Sequence, residues 1–308
     1  MRRLFLLLGD PVAHSRSPAI HARAFALLGE DAVYAPLRTL AAQLPVAWAG
    51  LKALGVAGFN VTVPHKSAAA ALCDNLSQQA RLANATNCVV YQEGRYLGHN
   101  TDGAGLLQAL RQAGFSPDGA KAVVLGAGGS ASAAALALSG RASQITLLNR
   151  TVGKAKALAA VLRAGGAQAA GSSLDDEGGK SALAAADLVV HCSTVGMGDD
   201  RVLIDPALLK PSCTVVDLVY AGAPGSAPGE TALLRAAKGR GLRTVDGVEV
   251  LVHQAIASLE IWLGRPDLGH LAPELRAAAI GAGRGATAEG PAAGDATASA
   301  TTLPAEAR

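Results

Sequence analysis

An α/β fold in two lobes with a cleft between them is predicted by three observations. Short apolar runs of strand length alternate with alanine-rich helical segments, the order that yields parallel strands flanked by helices. The alternation occurs twice, and one amphipathic segment separates the two series. A glycine-rich turn, Gly126-Ala127-Gly128-Gly129, joins a strand to a helix at the head of the second series. At about 150 residues per domain, 308 residues suggest two domains.

In chain order, Leu4-Phe5-Leu6-Leu7-Leu8 stops at Gly9-Asp10-Pro11. It is too short for a signal-peptide core or for a membrane span of about 20 residues, and reads as a buried strand. Further strands are expected at 32–36 and 58–62, with helices beginning near Pro18 and Leu40. Residues 103–114 carry Leu106, Leu107 and Leu110 at a spacing of three to four, so one helix should link the lobes. The second series has strands at 122–125, 144–149, 188–191 and 214–218. Residues 248–263 form a strongly apolar helix with Leu251, Val252, Ile256, Leu259 and Trp262. From Gly281 onward, 10 Ala, 5 Gly and 4 Thr in 28 residues show no apolar period, which predicts a disordered tail over 281–308. The lobes expected from this pattern are 1–102 with 246–280, and 103–245.

Half the residues are hydrophobic, 17% are charged and the net charge is +3. That balance excludes a generally disordered chain and gives no reason to expect a nucleic-acid partner. No membrane association is expected. The 4 cysteines are scattered, with no CxxC pair, so neither a zinc site nor a disulfide framework is predicted. A reducing cytoplasm is the default location.

The glycine turn has the setting of a dinucleotide fingerprint. Gly126 permits the tight turn, while Gly128 and Gly129 let backbone N–H groups approach a pyrophosphate at a helix N-terminus. The next strand ends Asn149-Arg150-Thr151, with Lys154 one helical turn on. An NAD site places a carboxylate there for the ribose 2′-hydroxyl, and a cation there suits the 2′-phosphate of NADP. The alternative is an ordinary solvated helix cap with a basic first turn.

Polar residues gather in the first series. Ser15 and Ser17 precede or open a helix at Pro18, where they could also serve as caps. Asn60, Thr62 and Lys66 lie at or just past the end of a strand, where open α/β sheets bind ligands. Asn87 and Asp102 flank one hairpin. Together these groups suit a polyhydroxylated substrate.

These segments resemble the shikimate dehydrogenase family. The resemblance rests on Gly9-Asp10-Pro11 through His14-Ser15-Arg16-Ser17-Pro18, Asn60-Val61-Thr62-Val63-Pro64-His65-Lys66 and Asn100-Thr101-Asp102-Gly103. It continues through the glycine turn, Asn149-Arg150-Thr151, Val216-Asp217-Leu218-Val219-Tyr220, and Asp246-Gly247 with Gln254. It implies a substrate-binding lobe and a Rossmann NADP-binding lobe, and reversible reduction of 3-dehydroshikimate to shikimate with NADPH in aromatic biosynthesis. Ser15 and Ser17 are implied to hold the substrate carboxylate, Asn60, Thr62, Asn87 and Gln254 its hydroxyls, with Tyr220 nearby. Gly126, Ala127, Gly128, Gly129, Asn149, Arg150, Thr151, Lys154 and Gly247 are implied on the cofactor side. Lys66 and Asp102 match the catalytic pair. An ammonium in a water-poor cleft stabilises charge growing on the carbonyl oxygen and can deliver a proton, and Asp102 would hold the same hydroxyl. His14, His21, His65 and His253 are expected to cap or pack rather than to act. The assembly expected is a monomer or homodimer.

Three departures qualify the resemblance. Where the family usually reads Asn-x-Thr before Gly-Met, this chain has His191-Cys192-Ser193-Thr194-Val195-Gly196-Met197. Residues 221–230 are longer than the usual connection and are expected to form a mobile loop. A methionine common near the nicotinamide is here Val250. Alternative readings are a quinate/shikimate dehydrogenase using NAD or both cofactors, an enzyme acting on an aminated analogue, and a catalytically silent ligand sensor on the same scaffold.

Overall fold

The computed structural model describes residues 2–220, 227 and 229–282. Two six-stranded sheets account for the strands. In the first, the apolar runs form β1 (Arg3–Gly9), β2 (Ala32–Arg38) and β3 (Gly58–Val61), joined by α1 (Ser17–Leu28) and α2 (Leu44–Ala53). The helix expected near Leu40 starts instead with a 3-10 turn over Ala41–Gln43, and α2 follows with Pro45 in its first turn. After α3 (Lys66–Leu72), β4 (Asn75–Leu76) and α4 (Gln78–Ala83) come β5 (Cys88–Gln92) and β6 (Arg95–His99).

The spatial order of this sheet is β2-β1-β3-β5-β6-β4. β1, β2 and β3 run parallel, but β5 is antiparallel to β3 and forms a hairpin with β6. The fully parallel sheet expected from alternation is therefore corrected here. Glu93 and Gly94, both at positive φ, make the tight turn that a two-residue hairpin needs.

α5 (Asp102–Gln112) leads into the second sheet, built from β7 (Lys121–Leu125), β8 (Gln144–Leu148), β9 (Ala169–Ser172), β10 (Leu188–His191), β11 (Thr214–Asp217) and β12 (Arg243–Val245). Its order, β12-β11-β10-β7-β8-β9, is entirely parallel and is the doubly wound dinucleotide-binding order, with the switch point between β7 and β10. α6 (Gly129–Leu138), α7 (Val152–Ala164), α8 (Glu177–Ala185) and α9 (Ala232–Gly239) supply the crossovers.

α10 (Gly247–Leu263) joins the two halves. Its Val248, Val252, Ile256 and Leu259 lie in the core of the first sheet, whereas Val250 lies in that of the second. α5 crosses it so closely that a Cβ at Gly105 would stand 2.8 Å from the backbone nitrogen of Gln254. This crossing sets the position of Gln254 relative to Asp102 on α5. α11 (Ala272–Ala282) then packs on α1, with Arg16 donating to the Ala279 carbonyl at 2.6 Å. Gly281 and Ala282 thus belong to a helix, and the rest of the expected tail lies outside the described residues, as do residues 221–226 and 228 of the expected loop. No described helix is long and apolar enough to cross a membrane.

Candidate active site

The polar residues of the first half converge where β3 ends and β5 and α5 begin, beside α10. Lys66 opens α3, and its Nζ lies 2.5 Å from Asp102 Oδ2 in the first turn of α5. Their side chains are 13% and 16% exposed, so the pair is shielded yet reachable. Lys66 also donates to Ser130 Oγ at 3.1 Å, in the first turn of α6. The contact brings the ammonium of one half to the head of the glycine turn of the other.

Asn87 organises the floor of the pocket. Its amide nitrogen approaches Asp102 Oδ1 at 2.7 Å, Thr101 Oγ1 at 2.9 Å and Gln254 Oε1 at 3.1 Å, and its oxygen accepts from the Thr101 backbone. Gln254 is pinned in turn, donating to the Leu251 carbonyl at 2.9 Å. Asn60 is buried with its partners internal: its amide donates to the Asn87 carbonyl and to Ser258, and its oxygen accepts from the Tyr34 hydroxyl at 2.9 Å. Thr62, half-buried, follows on the same strand end.

Ser15 and Ser17 lie along the same rim; the N-cap of α1, Arg16, makes no side-chain cap bond, but the Ser15 hydroxyl accepts from the Ser17 backbone N–H at the helix start at 3.2 Å, in line with the capping alternative for Ser15. Tyr220 reaches this rim from the second half and packs against the core of the first. Burial pushes its phenol above the usual value, and hydrogen bonding with Ser15 partly opposes that. Tyr34 is raised well above its usual value by burial, with Ser17 acting in the opposite sense. The sequence alone assigns no role to the hydroxyls of Tyr34, Ser130 and Ser258, and Thr101 enters there only as part of the Asn100–Gly103 segment. They come from separate elements, and local signals mark only Thr101, inside that segment, and Ser130, directly after the glycine turn.

The second cluster lies at the carboxyl end of β7 and β8. Gly126 has φ of +123°, where a side chain would be strained, and its turn packs on Cys192. Space in front of Gly128 is open. β8 ends without a carboxylate. Arg150 and Lys154 are exposed and have no side-chain partner among the described residues. Thr151 occupies the N-cap of α7 without a side-chain cap bond, and Asn149 donates to its carbonyl at 2.9 Å. The ordinary-cap alternative therefore lacks its defining bond, and the donor set suits a dinucleotide bearing an additional phosphate. Gly247 has a packing reason to be glycine, because a Cβ there would stand 2.7 Å from the Leu218 carbonyl oxygen.

Of the histidines expected to cap or pack, His21 and His65 are buried in the fold, whereas His14 is exposed. His65 is buried with Nε2 2.6 Å from the Thr39 carbonyl, and His21 stacks on Tyr34 with ring centroids 4.2 Å apart. Among the described residues no group of His, Cys, Asp and Glu could hold a metal ion.

Comparison with known proteins agrees in both halves. The family model for the shikimate dehydrogenase substrate binding domain matches residues 7–89, and that for shikimate / quinate 5-dehydrogenase matches residues 108–197. A shikimate dehydrogenase (NADP(+)) from Symbiobacterium thermophilum is 43% identical over 269 residues, covering 85% of this chain and 90% of its own. The structure of shikimate 5-dehydrogenase from Thermus thermophilus, in complex with NADP(H) and shikimate, matches with a TM-score of 0.79 and 34% identity, covering 91% of this chain and 99% of its own. Quinate dehydrogenase from Corynebacterium glutamicum, in complex with NAD, matches with a TM-score of 0.78 and 30% identity, covering 90% and 98%.

Proposed function

Because the chain belongs to the shikimate dehydrogenase family, we propose that it interconverts 3-dehydroshikimate and shikimate with NADP as cofactor. The observation that carries this reading is the Lys66–Asp102 pair, held by Asn87 and touching Ser130 at the junction of the two halves. A surface ion pair would need no such support. A silent sensor would have no use for an ammonium placed beside a nucleotide turn.

Bound NADPH would supply the hydride. The chain supplies the rest. As negative charge grows on the carbonyl oxygen, the Lys66 ammonium stabilises it and delivers the proton, while Asp102 Oδ2 orients the amine and accepts from the product hydroxyl. Ser15 and Ser17 are assigned to the substrate carboxylate, with Tyr220 closing over them. Thr62, Asn87 and Gln254 are assigned to the ring hydroxyls. Asn60, with its amide already engaged, contributes by fixing Asn87 and Ser258.

On the cofactor side, Gly126, Ala127, Gly128 and Gly129 would carry the pyrophosphate at the α6 N-terminus. Asn149, Arg150, Thr151 and Lys154 would take the 2′-phosphate. Gly247 keeps the chain beside Leu218 free of a side chain. This division makes residues 1–102 and 246–280 the substrate domain and 103–245 the cofactor domain. A reducing cytoplasm suits four cysteines that are all free.

The test is an initial-rate comparison of shikimate and quinate oxidation, each with NADP and with NAD. Shikimate with NADP should dominate. Comparable rates with quinate or NAD would place the protein in the broader quinate/shikimate class, and absence of turnover in all four combinations would overturn the enzymatic reading.

A further inference from the structure

The carboxyl ends of β10 and β11 hold a buried polar chain that the dehydrogenase reading does not use. His191 and Asp217 face each other in register across the two parallel strands, and their side chains are each 2% exposed. Asp217 Oδ1 accepts from His191 Nδ1 at 2.8 Å and from the Val219 backbone N–H at 3.0 Å, and Oδ2 accepts from the Thr231 hydroxyl at 2.6 Å. A carboxylate only accepts, so Nδ1 carries the hydrogen, and in the neutral imidazole Nε2 presents its lone pair. That lone pair lies 2.7 Å from Ser193 Oγ. The hydroxyl oxygen also accepts from the Val195 N–H at 3.3 Å, which leaves its own hydrogen directed at Nε2.

We propose that Ser193 is an activated nucleophile, with His191 as its base and Asp217 as the positioning carboxylate, able to take the acyl group of small activated esters. The order hydroxyl, imidazole, carboxylate is recognised by geometry rather than by chain position. Here the chain spacing is unusual, with Ser193 only two residues beyond His191. The half-buried Ser193 follows Cys192, against which the Gly126 turn packs, so it lies at the ligand-binding edge of the sheet. His191 and Ser193 occupy the positions where the family usually has Asn and Thr, so the constellation distinguishes this chain from the family pattern.

In the reaction, Ser193 Oγ bonds to the ester carbonyl carbon as its proton passes to His191 Nε2. The alcohol or phenol leaves with that proton, giving acyl-Ser193. Water then attacks the acyl carbon, losing a proton to His191. The carboxylic acid departs as that proton returns to Ser193.

The test uses the full-length protein and p-nitrophenyl acetate, reading phenolate release and the acetylated peptides by mass spectrometry. Acetyl-Ser193 should form, disappear in Ser193→Ala, and form about 100-fold more slowly in His191→Asn, the loss typical of a missing general base. Since asparagine is the usual family residue there, that variant should fold, and its melting curve is recorded alongside. If it does not fold, the wild type decides the matter: Ser193 must outpace the exposed Ser116, Ser143 and Ser212. Equal acetylation of those serines, or an unchanged Ser193 rate in folded His191→Asn, overturns the proposal. Shikimate oxidation is assayed separately, so this outcome leaves the dehydrogenase reading untouched.

Discussion

In the first half of the molecule the polar groups are bonded to one another before any ligand arrives. Asn87, Thr101, Gln254, Asn60 and Ser258 are buried and linked through a continuous set of side-chain hydrogen bonds. At the tip of β8 the reverse holds, since Arg150, Thr151 and Lys154 are exposed and make no side-chain bonds among the described residues. The difference matches what each region is proposed to recognise. Discriminating hydroxyl positions on a small ring requires donors held in fixed directions, and burial makes a misplaced partner costly. A phosphate is recognised by charge and by a planar fork, which tolerates a solvated side chain until the ligand orders it.

The two regions should respond differently to substitution. The largest expected effect is Lys66→Ala, where loss of the group proposed to stabilise the developing oxyanion should lower kcat by about 10²- to 10³-fold. KM for shikimate should change little, because the fixed hydroxyl partners remain. An unchanged turnover number would remove Lys66 from the mechanism. Arg150→Ala should raise KM for NADPH by about 10- to 100-fold, the range for hydrogen bonds to a charged group, with little effect on NADH. Stability should be unaffected, and equal losses for both nucleotides would show that Arg150 does not meet the 2′-phosphate.

Asn87→Ala tests the preorganised side of the comparison. It leaves Asp102 Oδ1, Gln254 Oε1 and the Thr101 N–H without their partner, so it should destabilise the fold by about 1–3 kcal/mol in urea unfolding as well as weaken substrate binding. A variant with unchanged stability would mean that the network forms only around substrate.

Much of this architecture was legible in the sequence because its signals are local. Gly126, with the strand before it and the helix after it, marks the switch point, and Arg150 stands where a carboxylate would otherwise be. What escaped is what depends on contacts between distant segments. Ala169-Ala170-Gly171-Ser172 has no β-branched residue, yet it forms β9 because parallel pairing with β8 satisfies its backbone. Residues 272–282 lack an obvious amphipathic period and are helical through packing on α1. Tyr34, Thr101 and Ser258 lie far apart along the chain and meet only through the crossing of α10 over the first sheet. The substitution of His191 for the usual asparagine was visible, but its pairing with Asp217 depends on strand register.

The last prediction concerns the layer beneath the preorganised pocket. Burial lowers His21 from 6.5 to about 3, with the Asn60 side chain only partly offsetting the loss of solvent. Both ring nitrogens lack a hydrogen-bond partner among the described residues, and the ring is stacked on Tyr34, whose hydroxyl holds Asn60. As pH falls below about 6.5, the unfolded chain takes up a proton at this position that the folded chain refuses. Stability should therefore decline between about pH 6 and pH 4, His21 adding a slope of up to about 1.4 kcal/mol per pH unit. His21→Leu removes the titrating group and should flatten that part of the curve, whatever it does to absolute stability. Because carboxylates titrate in the same window, the difference in slope between the two proteins is the quantity to measure. An identical slope in both would mean that His21 is protonated in the folded protein and that its surroundings are more polar than the packing indicates.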